Sequence, residues 1–334
     1  MSSPTQVTIS DGVAEAVVVP ELGAGLASYD LVDQDERIPL LRPCRDLAPA
    51  HPSDLACNLL LPWSNRISGG GFLFAGTFHP LAPNLEGEPY PIHGNGFSSA
   101  WTVAAATARA VQLTLASDGP GPFRYRARAA YALERGALTM RLSIANHARE
   151  ALPFGLGFHP WIVRTQGTLL EARAERVVLE TSDRLPAGEA AVSSRPEWDF
   201  AAPRLLPDGW INNAFLGWDG KAVVDWRDRG LQLLVEADPP LCVYILYSPS
   251  RAANFFCFEP VTHPVDAHNA PGGPAANGLV ILAPQAALAA SCGFEPRRLW
   301  GAVDDRAARP ARPVKSRSRG RSRPPGRTAI AGSR

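Results

Sequence analysis

Long apolar runs are missing from this sequence of 334 residues. A helix that crosses a bilayer needs about 20 consecutive apolar residues, and no run here approaches that length. The short run from Val13 to Val19 has no basic segment before it, so it does not have the pattern of a secretory signal. We therefore expect a cytoplasmic protein with no membrane-spanning segment.

Cysteine spacing typical of disulfide frameworks or zinc ribbons is also missing. The cysteines are odd in number and form no C-x-x-C motif; they are Cys44, Cys57, Cys242, Cys257 and Cys292. Disulfide frameworks and zinc ribbons both have an even number of cysteines at regular spacing. We expect five free thiols in a reducing compartment.

Three motifs that bind phosphate or activate serine are absent as well. The run Gly69-Gly70-Gly71 is not followed by the Lys-Ser/Thr pair of a P-loop. No segment has the strand-to-helix context of a dinucleotide site, and the G-x-S-x-G nucleophile elbow is missing. The sequence therefore argues against a nucleotide-binding enzyme and against a serine hydrolase of that type.

Acidic residues are missing from the C-terminal segment. The whole chain has 33 Lys and Arg against 32 Asp and Glu, yet residues 306–334 contain ten basic residues and no acidic one. This segment has almost no large apolar residue, so it cannot bury a core. We expect a globular domain over residues 1–303 and a disordered basic tail over 304–334. The tail would supply phosphate contacts to a nucleic acid, but we favour a solvated extension and expect no nucleic-acid partner.

Short strand patterns are abundant. From Phe123 to Leu133 apolar residues alternate with Arg124, Arg126 and Arg128, which is the period of a half-buried strand. After a turn at Gly136, a second alternating run predicts an antiparallel hairpin. Further strand patterns are two strands within Ala14 to Leu31, then Val111 to Ala116, Arg176 to Glu180, Ala222 to Trp226, Leu231 to Glu236, Leu241 to Tyr247, Phe255 to Glu259 and Leu279 to Leu282. Helical patterns are scarce, so we predict an all-β fold of antiparallel sheets.

One segment concentrates side chains suited to chemistry. Residues 254–269 contain Glu259, His263, Asp266 and His268, and imidazole with carboxylate is an ordinary ligand set for zinc or iron. Pro260 removes a backbone donor and fixes φ, so the segment is not a helix. We predict a strand that ends near Glu259 and continues into an irregular loop, which removes most of the geometric support for a metal site.

Three other segments combine polar side chains with glycine and aromatic neighbours. They carry the Asn65-Arg66 pair, His93 in Pro91–Phe97, and His159 in Gly155–Trp161. Taken singly, a loop histidine is most often solvated and an Asn-Arg pair most often lies on the surface. Together, two imidazoles, a carboxylate, an Arg and an Asn suit general acid–base work on a neutral, polyhydroxylated ligand.

These segments, in this order, resemble the aldose 1-epimerases (galactose mutarotases) and their bacterial relatives. The likeness covers roughly residues 10 to 297. It rests on P-W-S-N-R-I-S-G at Pro62–Gly69, I-H-G at Ile92–Gly94, G-F-H-P-W at Gly157–Trp161, I-N-N-A-F-L-G-W-D-G at Ile211–Gly220, F-E-P-V-T-H-P-V-D-A-H-N at Phe258–Asn269, and the opening V-P-E-L-G-A-G-L-A-S-Y at Val19–Tyr29.

The resemblance implies an antiparallel β-supersandwich with a sugar cleft on one face and neither a metal nor an organic cofactor. It implies that Glu259 is the general base, that His159 is the general acid, and that His93 assists by donating to the ring oxygen or a nearby hydroxyl. It also implies that the sugar is bound by Arg66, by Asn65 and by a residue of the Ile211–Gly220 segment.

That last position departs from the family pattern. The family has an aspartate in a D-x-x-F motif, and Asn212 stands three residues before Phe215 here. Asparagine accepts and donates hydrogen bonds but brings no charge. If the alignment slips by one residue, Asn213 takes this place.

Three hypotheses follow, from three classes of protein. The first is an isomerase acting on a free aldose, as a monomer or homodimer. The second is a non-catalytic sugar-binding or sensing protein on the same scaffold, to which Asn212 lends support. The third is a metal-dependent enzyme that uses Glu259, His263 and His268.

Overall fold

The computed structural model describes residues 4–34, 36–48 and 50–299. The predicted tail at 304–334, and its boundary at residue 303, lie outside these residues. Within them the chain is built almost entirely of strands, with five 3₁₀ helices of one turn each at Pro52–Asp54, Val192–Ser194, Pro196–Trp198, Arg227–Arg229 and Ala275–Asn277. None of these helices is long and apolar enough to cross a membrane.

The described residues form 24 strands. In chain order they are β1 Val7–Ser10, β2 Ala14–Val19, β3 Gly25–Asp33, β4 Glu36–Pro39, β5 Cys57–Leu60, β6 Gly71–Phe74, β7 Thr77–Pro80, β8 Thr102–Ala106, β9 Ala110–Ser117, β10 Tyr125–Glu134, β11 Ala137–Asn146, β12 Leu152–Phe154, β13 Gly157–Val163, β14 Thr168–Glu171, β15 Arg176–Glu180, β16 Pro186–Ala191, β17 Arg204–Leu205, β18 Ile211–Leu216, β19 Lys221–Trp226, β20 Leu231–Ala237, β21 Val243–Ser248, β22 Phe255–Val261, β23 Val280–Leu282 and β24 Ala287–Arg298.

Two large antiparallel sheets contain most of these strands. The first sheet runs β1-β2-β3-β5-β13-β22-β21-β18-β15-β16, with β4 beside β3. The second sheet runs β17-β14-β19-β20-β24-β11-β10-β9-β8, and the small hairpins β12-β23 and β6-β7 stand apart. This architecture confirms the prediction of an all-β, antiparallel fold.

The predicted hairpin is the β10–β11 pair. Its alternation is the one read from the sequence, with Tyr125 and Tyr131 buried and Arg126 and Arg128 exposed. The turn needs two residues with positive φ, which is the geometry that matches the twist of paired strands. Arg135 (φ 52°) and Gly136 (φ 84°) supply it.

The core lies between the two sheets and includes buried residues of both. Three buried side chains form hydrogen bonds across the interface between the two sheets. The Tyr29 hydroxyl donates to the carbonyl of Phe294 (3.0 Å), the Tyr131 hydroxyl to that of Ala24 (2.6 Å), and the indole of Trp226 to a carbonyl of β13 (2.9 Å). Buried phenol and indole groups need such partners, so the bonds help to fix how the sheets stack.

Candidate active site

The register of the first sheet brings two predicted site residues together. Gly157 of β13 pairs with Val261 of β22. Counting two residues along each antiparallel strand from that pair places His159 opposite Glu259. On the other side, His159 pairs with Asn58 of β5, so three neighbouring strands contribute to one row of polar side chains.

Both of these residues stand directly before a proline. Pro160 and Pro260 have no backbone N–H to give to the ladder, and the recorded pairing of β13 with β22 is interrupted there. The strand β22 nevertheless continues to Val261, so Glu259 lies inside the strand, two residues further from its end than predicted. A residue inside a central strand is held more firmly than one at the start of a loop.

Strand alternation decides which face the pair occupies. Phe158 and Phe258 belong to the core between the sheets, so their neighbours His159 and Glu259 point to the opposite face of the first sheet. Loops cover that face, and a small apolar cluster that includes Ile245, the strand partner of Glu259, packs under them. The result is a buried polar row at the floor of a cleft.

The cleft has a volume of about 200 Å³. It contains all six residues predicted to act on or bind the sugar. Its lining is Ser53, Asn58, Leu60, Asn65, Arg66, Leu85, Glu88, Ile92, His93, Phe97, His159, Trp161, Arg184, Trp210, Asn212, Tyr247 and Glu259.

Glu259 and His159 are in contact and are hidden from water. Oε1 of Glu259 lies 3.3 Å from Nε2 of His159, with the two side chains 3% and 12% exposed. Burial penalises the charged form of each group: it raises the pKa of Glu259 to about 8, and it lowers the pKa of His159 to about 4. Oε2 of Glu259 is buried and has no hydrogen-bond partner within the described residues, so it is free to accept a proton or a hydrogen bond.

His93 is fixed by a reciprocal pair of bonds with Asn65. The backbone N–H of Asn65 donates to Nδ1 of His93 (3.1 Å), and the backbone N–H of His93 donates to the carbonyl of Asn65 (3.1 Å). Since Nδ1 accepts, the proton of the neutral ring must be on Nε2. Burial, followed by the charges of His159 and Arg66, lowers the pKa of His93 well below its usual value. His93 is therefore a neutral N–H donor in the cleft.

Left-handed backbone geometry makes this bonding possible. Asn65 and His93 both have φ of 60°, a region that asparagine and histidine tolerate better than most residues. Gly94 beside them also has positive φ, and a Cβ there would lie 2.1 Å from the carbonyl oxygen of Leu61. The glycine thus lets the His93 loop approach the Asn65 loop.

Arg66 is held by a carboxylate that the sequence did not indicate. Nε and Nη2 of Arg66 donate to the two oxygens of Glu88 at 2.9 and 2.7 Å, and Nη1 donates to Oδ1 of Asn65 at 3.3 Å. This paired geometry is the strong form of the Arg–carboxylate interaction. Three of the five N–H donors are occupied, which leaves one on each Nη atom for a ligand. Arg184 also donates to Glu88, at 3.2 Å.

The structure decides between the two asparagines. Asn212 lines the cleft, and its Nδ2 donates to Oε2 of Glu180 at 3.0 Å. Asn213 is buried, and its Nδ2 donates to the carbonyl of Val178 at 2.8 Å. Asn212 is therefore the asparagine that faces the cleft.

Aromatic rings form one wall of the cleft. Trp161 is stacked on the ring of His159 with centroids 5.1 Å apart. Trp210 and Tyr247 meet edge to face at 5.2 Å, and Tyr247 also meets the edge of Trp161 at 6.4 Å. Aromatic faces suit the C–H surface of a sugar ring.

The loop after β22 supports the Asn65 loop. Nε2 of His263 accepts from the backbone N–H of Ser64 at 3.1 Å, while Nδ1 bonds to a carbonyl at 2.8 Å. The two oxygens of Asp266 accept from the backbone N–H and the hydroxyl of Ser68. His268 packs against Phe72 and other aromatic rings. Because both nitrogens of His263 are engaged, it is poorly suited to bind a metal with Glu259.

A different set of possible metal ligands occurs in the described part of the chain. One ligand atom each from His159, Cys257 and Glu259 lies within 4.8 Å of the others. A metal would need the Cys257 thiolate, but burial, followed by the charge of Glu259, raises the pKa of this thiol well above its usual value. The arrangement favours proton transfer between His159 and Glu259 over metal binding.

Several cleft residues escaped the sequence reasoning. Three of them lie in loops whose sequences show no strand or motif pattern: Glu88, Arg184 and Trp210. Their place in the cleft follows only from contacts with residues that are distant in sequence. Tyr247 was placed in a predicted strand, and the alternation of that strand, continued across the sheet, is the signal that would have assigned it to the face of Glu259.

Comparison with known proteins connects this geometry to a family. A family model described as aldose 1-epimerase matches residues 5–295. The uncharacterized Escherichia coli K12 protein YphB is 34% identical over 277 residues, which is 79% of this chain and 93% of YphB. The uncharacterized protein YihR of the same strain is 28% identical over 163 residues, 47% of this chain and 49% of YihR.

Solved structures of similar proteins point to the same family. A candidate aldose 1-epimerase from Escherichia coli K12 matches with a TM-score of 0.81 and 30% identity, covering 88% of this chain and 99% of the other. The GalM/aldose epimerase homologue of C. elegans has a TM-score of 0.75 at 17% identity, covering 89% of this chain and 100% of the other. The latter likeness supports the fold alone.

Proposed function

The chain belongs to the aldose 1-epimerase family, and on this premise we propose that it interconverts the α and β anomers of a free aldose, such as glucose or galactose, by general acid–base catalysis. The single observation that carries the proposal is the buried contact of 3.3 Å between Glu259 and His159 at the floor of the cleft. A base and an acid in contact serve a reaction that removes one proton and delivers another.

In the proposed mechanism Glu259 takes the proton of the anomeric hydroxyl while His159 gives a proton to the ring oxygen. The bond between C1 and the ring oxygen breaks, and the pyranose opens to the free aldehyde. Rotation about C1–C2 presents the other carbonyl face, and closure with both proton transfers reversed gives the other anomer. His93 donates a hydrogen bond to the ring oxygen or to a neighbouring hydroxyl, and Arg66 binds a hydroxyl with its remaining donors.

The proton count supports this assignment. Before ring opening the pair carries one proton on His159, and afterwards it carries one proton on Glu259. Ring closure reverses both transfers, so the pair returns to its starting form without exchange with bulk water. Positioned acid and base groups contribute about 10²- to 10⁴-fold each, which suffices for a reaction that also proceeds unaided in water.

Charge pairing in the cleft favours a neutral substrate. The buried guanidinium of Arg66 is paired with both oxygens of Glu88, so its charge is compensated inside the cleft. Arg184 shares that carboxylate from an exposed position, where water screens its charge. A neutral sugar recognised by hydrogen bonds and by aromatic faces fits this lining. We propose no metal or organic cofactor for the reaction.

The test is polarimetry on freshly dissolved α-glucose, α-galactose and a panel of other aldoses. The protein should accelerate the relaxation of optical rotation, and Glu259→Gln should reduce the enzymatic rate about 10²-fold or more because the base is lost. Glu236→Gln is the matched control, because Glu236 lies on the second sheet beside Lys221 and far from the cleft lining; it should leave the rate unchanged.

The alternative of a non-catalytic sugar-binding protein gives a different result. Calorimetry would then record sugar binding while the relaxation of optical rotation stays at the uncatalysed rate. That combination, or the absence of acceleration with every aldose of the panel, would overturn the proposed reaction.

A further inference from the structure

Glu180, at the end of β15, holds two of the side chains that line the cleft. Its Oε1 accepts from the indole N–H of Trp210 at 2.6 Å, and its Oε2 accepts from Nδ2 of Asn212 at 3.0 Å. Glu180 itself is not part of the cleft lining in the described residues. It therefore stands behind the wall that Trp210 and Asn212 present to a ligand.

A carboxylate at this place determines how the asparagine amide is turned. An ionised carboxylate has acceptors only, whereas the amide of Asn212 has one donor end and one acceptor end. The opposite orientation would bring the amide oxygen against an oxygen of Glu180 and lose the bond. Nδ2 must face Glu180, and Oδ1 of Asn212 is then left for another donor.

We propose that Glu180 is a positioning residue that fixes Asn212 as a hydrogen-bond acceptor for a hydroxyl group of the bound sugar. The inference rests on the proposed function of the cleft and extends it to substrate recognition. It explains how the neutral amide of Asn212 can act as the acceptor at a position where the family has a carboxylate. The carboxylate of Glu180 binds the amide nitrogen and so directs the amide oxygen to the sugar.

Asn212 acts at a distance from the proton-transfer pair. In the first sheet, β18 is separated from β22 by β21, and Asn212 pairs with Tyr247, whereas Glu259 pairs with Ile245. A contact made here holds the sugar equally in the ground state and in the transition state. Its loss should raise KM and leave kcat nearly unchanged.

The substrate class follows from the acceptor. A sugar that carries a hydroxyl opposite Oδ1 of Asn212 donates to it, whereas an analogue without that hydroxyl loses this hydrogen bond. One member of a series of monodeoxy sugars should therefore bind about 2- to 10-fold more weakly than the parent, the loss expected for one neutral hydrogen bond.

A cycle of two substitutions provides the test, with the dissociation constant of the preferred aldose measured by calorimetry and KM and kcat by polarimetry. Asn212→Asp alone places a second carboxylate against Glu180, and binding should weaken about 10-fold or more through like-charge repulsion. Glu180→Gln alone allows either orientation of the Asn212 amide, and binding should weaken about 2- to 10-fold.

The double variant should reverse the effect of Asn212→Asp. In Glu180→Gln the amide oxygen can accept from the Trp210 indole while the amide nitrogen donates to Asp at position 212, so every group has a partner. The remaining oxygen of that Asp accepts from the sugar with a charge-assisted bond. The double variant should bind the sugar at least as tightly as the parent protein, with kcat unchanged throughout.

The control is Glu189→Gln, because Glu189 lies on the neighbouring strand β16, is exposed and pairs with Arg176 outside the cleft. Additive effects in the cycle, or no effect of Glu180→Gln on binding, would overturn the inference. A failure of the proposed function would give a different result, in which the parent protein binds sugar without accelerating mutarotation. The dissociation constants of the variants would still test the role of Glu180 in that case. No binding of any aldose would overturn both.

Discussion

At the scale of single residues, one physical cause acts in opposite directions on the two groups of the site. Burial disfavours charge, so it raises the pKa of Glu259 to about 8 and lowers the pKa of His159 to about 4. Between these values the pair as a whole carries one proton. At these pKa values the proton lies on Glu259 in most molecules, and the proposed reaction starts from the minor form with the same total charge, in which His159 is protonated and Glu259 is ionised.

The pH dependence of kcat/KM should follow from this count. Below about pH 4 both groups are protonated and the base is lost, whereas above about pH 8 both are deprotonated and the acid is lost. Polarimetry from about pH 3 to about pH 10, corrected for catalysis by buffer, should give a broad bell with these two limbs. A rate that keeps rising above about pH 8 would show that protonation of the pair does not limit the reaction.

At the scale of elements, strands hold the proposed acid–base pair, whereas two loops that bond to each other hold His93, Asn65 and Arg66. His159 and Glu259 come from β13 and β22, whose register is set by the whole sheet. Asn65 and Arg66 come from a loop that depends on His263 and Asp266 in another loop. We expect these supporting residues to affect activity through geometry and less than Glu259 does.

Gly155→Ala tests this support. A Cβ at Gly155 would lie 2.2 Å from Cδ2 of His263, which would push the ring away from the Ser64 backbone and displace the Asn65 loop. Overpacking of this kind costs about 1–3 kcal/mol, so the melting temperature should fall and KM should rise. Thermal unfolding and polarimetry measure the two effects.

The matched control is Gly167→Ala. The nearest atom to a Cβ at Gly167 is an oxygen of Asp228 at 3.7 Å, an ordinary contact, so stability should change by less than about 0.5 kcal/mol. Equal effects of the two substitutions would mean that the contact with His263 does not explain the loss.

At the scale of the whole molecule, the site belongs to one face of one sheet. The cleft lining runs from Ser53 to Glu259, and the family match ends at residue 295. The second sheet contributes the opposite wall of the core, which keeps the first sheet rigid.

Truncation after Val303 should therefore leave the mutarotation rate and the melting temperature unchanged. Anisotropy with a labelled RNA at several salt concentrations would compare the full chain with the truncated one. Equal and weak binding by both is the expected result, and salt-dependent binding by the full chain alone would assign the segment a polyanion partner. A fall in mutarotation after truncation would contradict the domain boundary.

How far the sequence alone determined the protein can be judged from particular elements. The alternation of Tyr125 to Leu133 and the turn at Gly136 specified the β10–β11 hairpin, because side-chain direction in a strand is a local property with a period of two. Glu259, His159, His93, Asn65, Arg66 and Asn212 were identified in advance, and all of them line one cleft.

Only the tertiary structure decided how these residues are partnered. Glu88 pairs with Arg66 across 22 positions, and Glu180 holds Asn212 across 32 positions, and no local pattern encodes such contacts. The loop of His263 and Asp266, grouped with Glu259 by nearness in sequence, supports Ser64 and Ser68 instead. The pKa values of Glu259 and His159 are likewise set by burial, which depends on every chain segment that covers them. The sequence determines which chemical groups are present, whereas their desolvation and their hydrogen-bond partners depend on which distant segments the fold brings together.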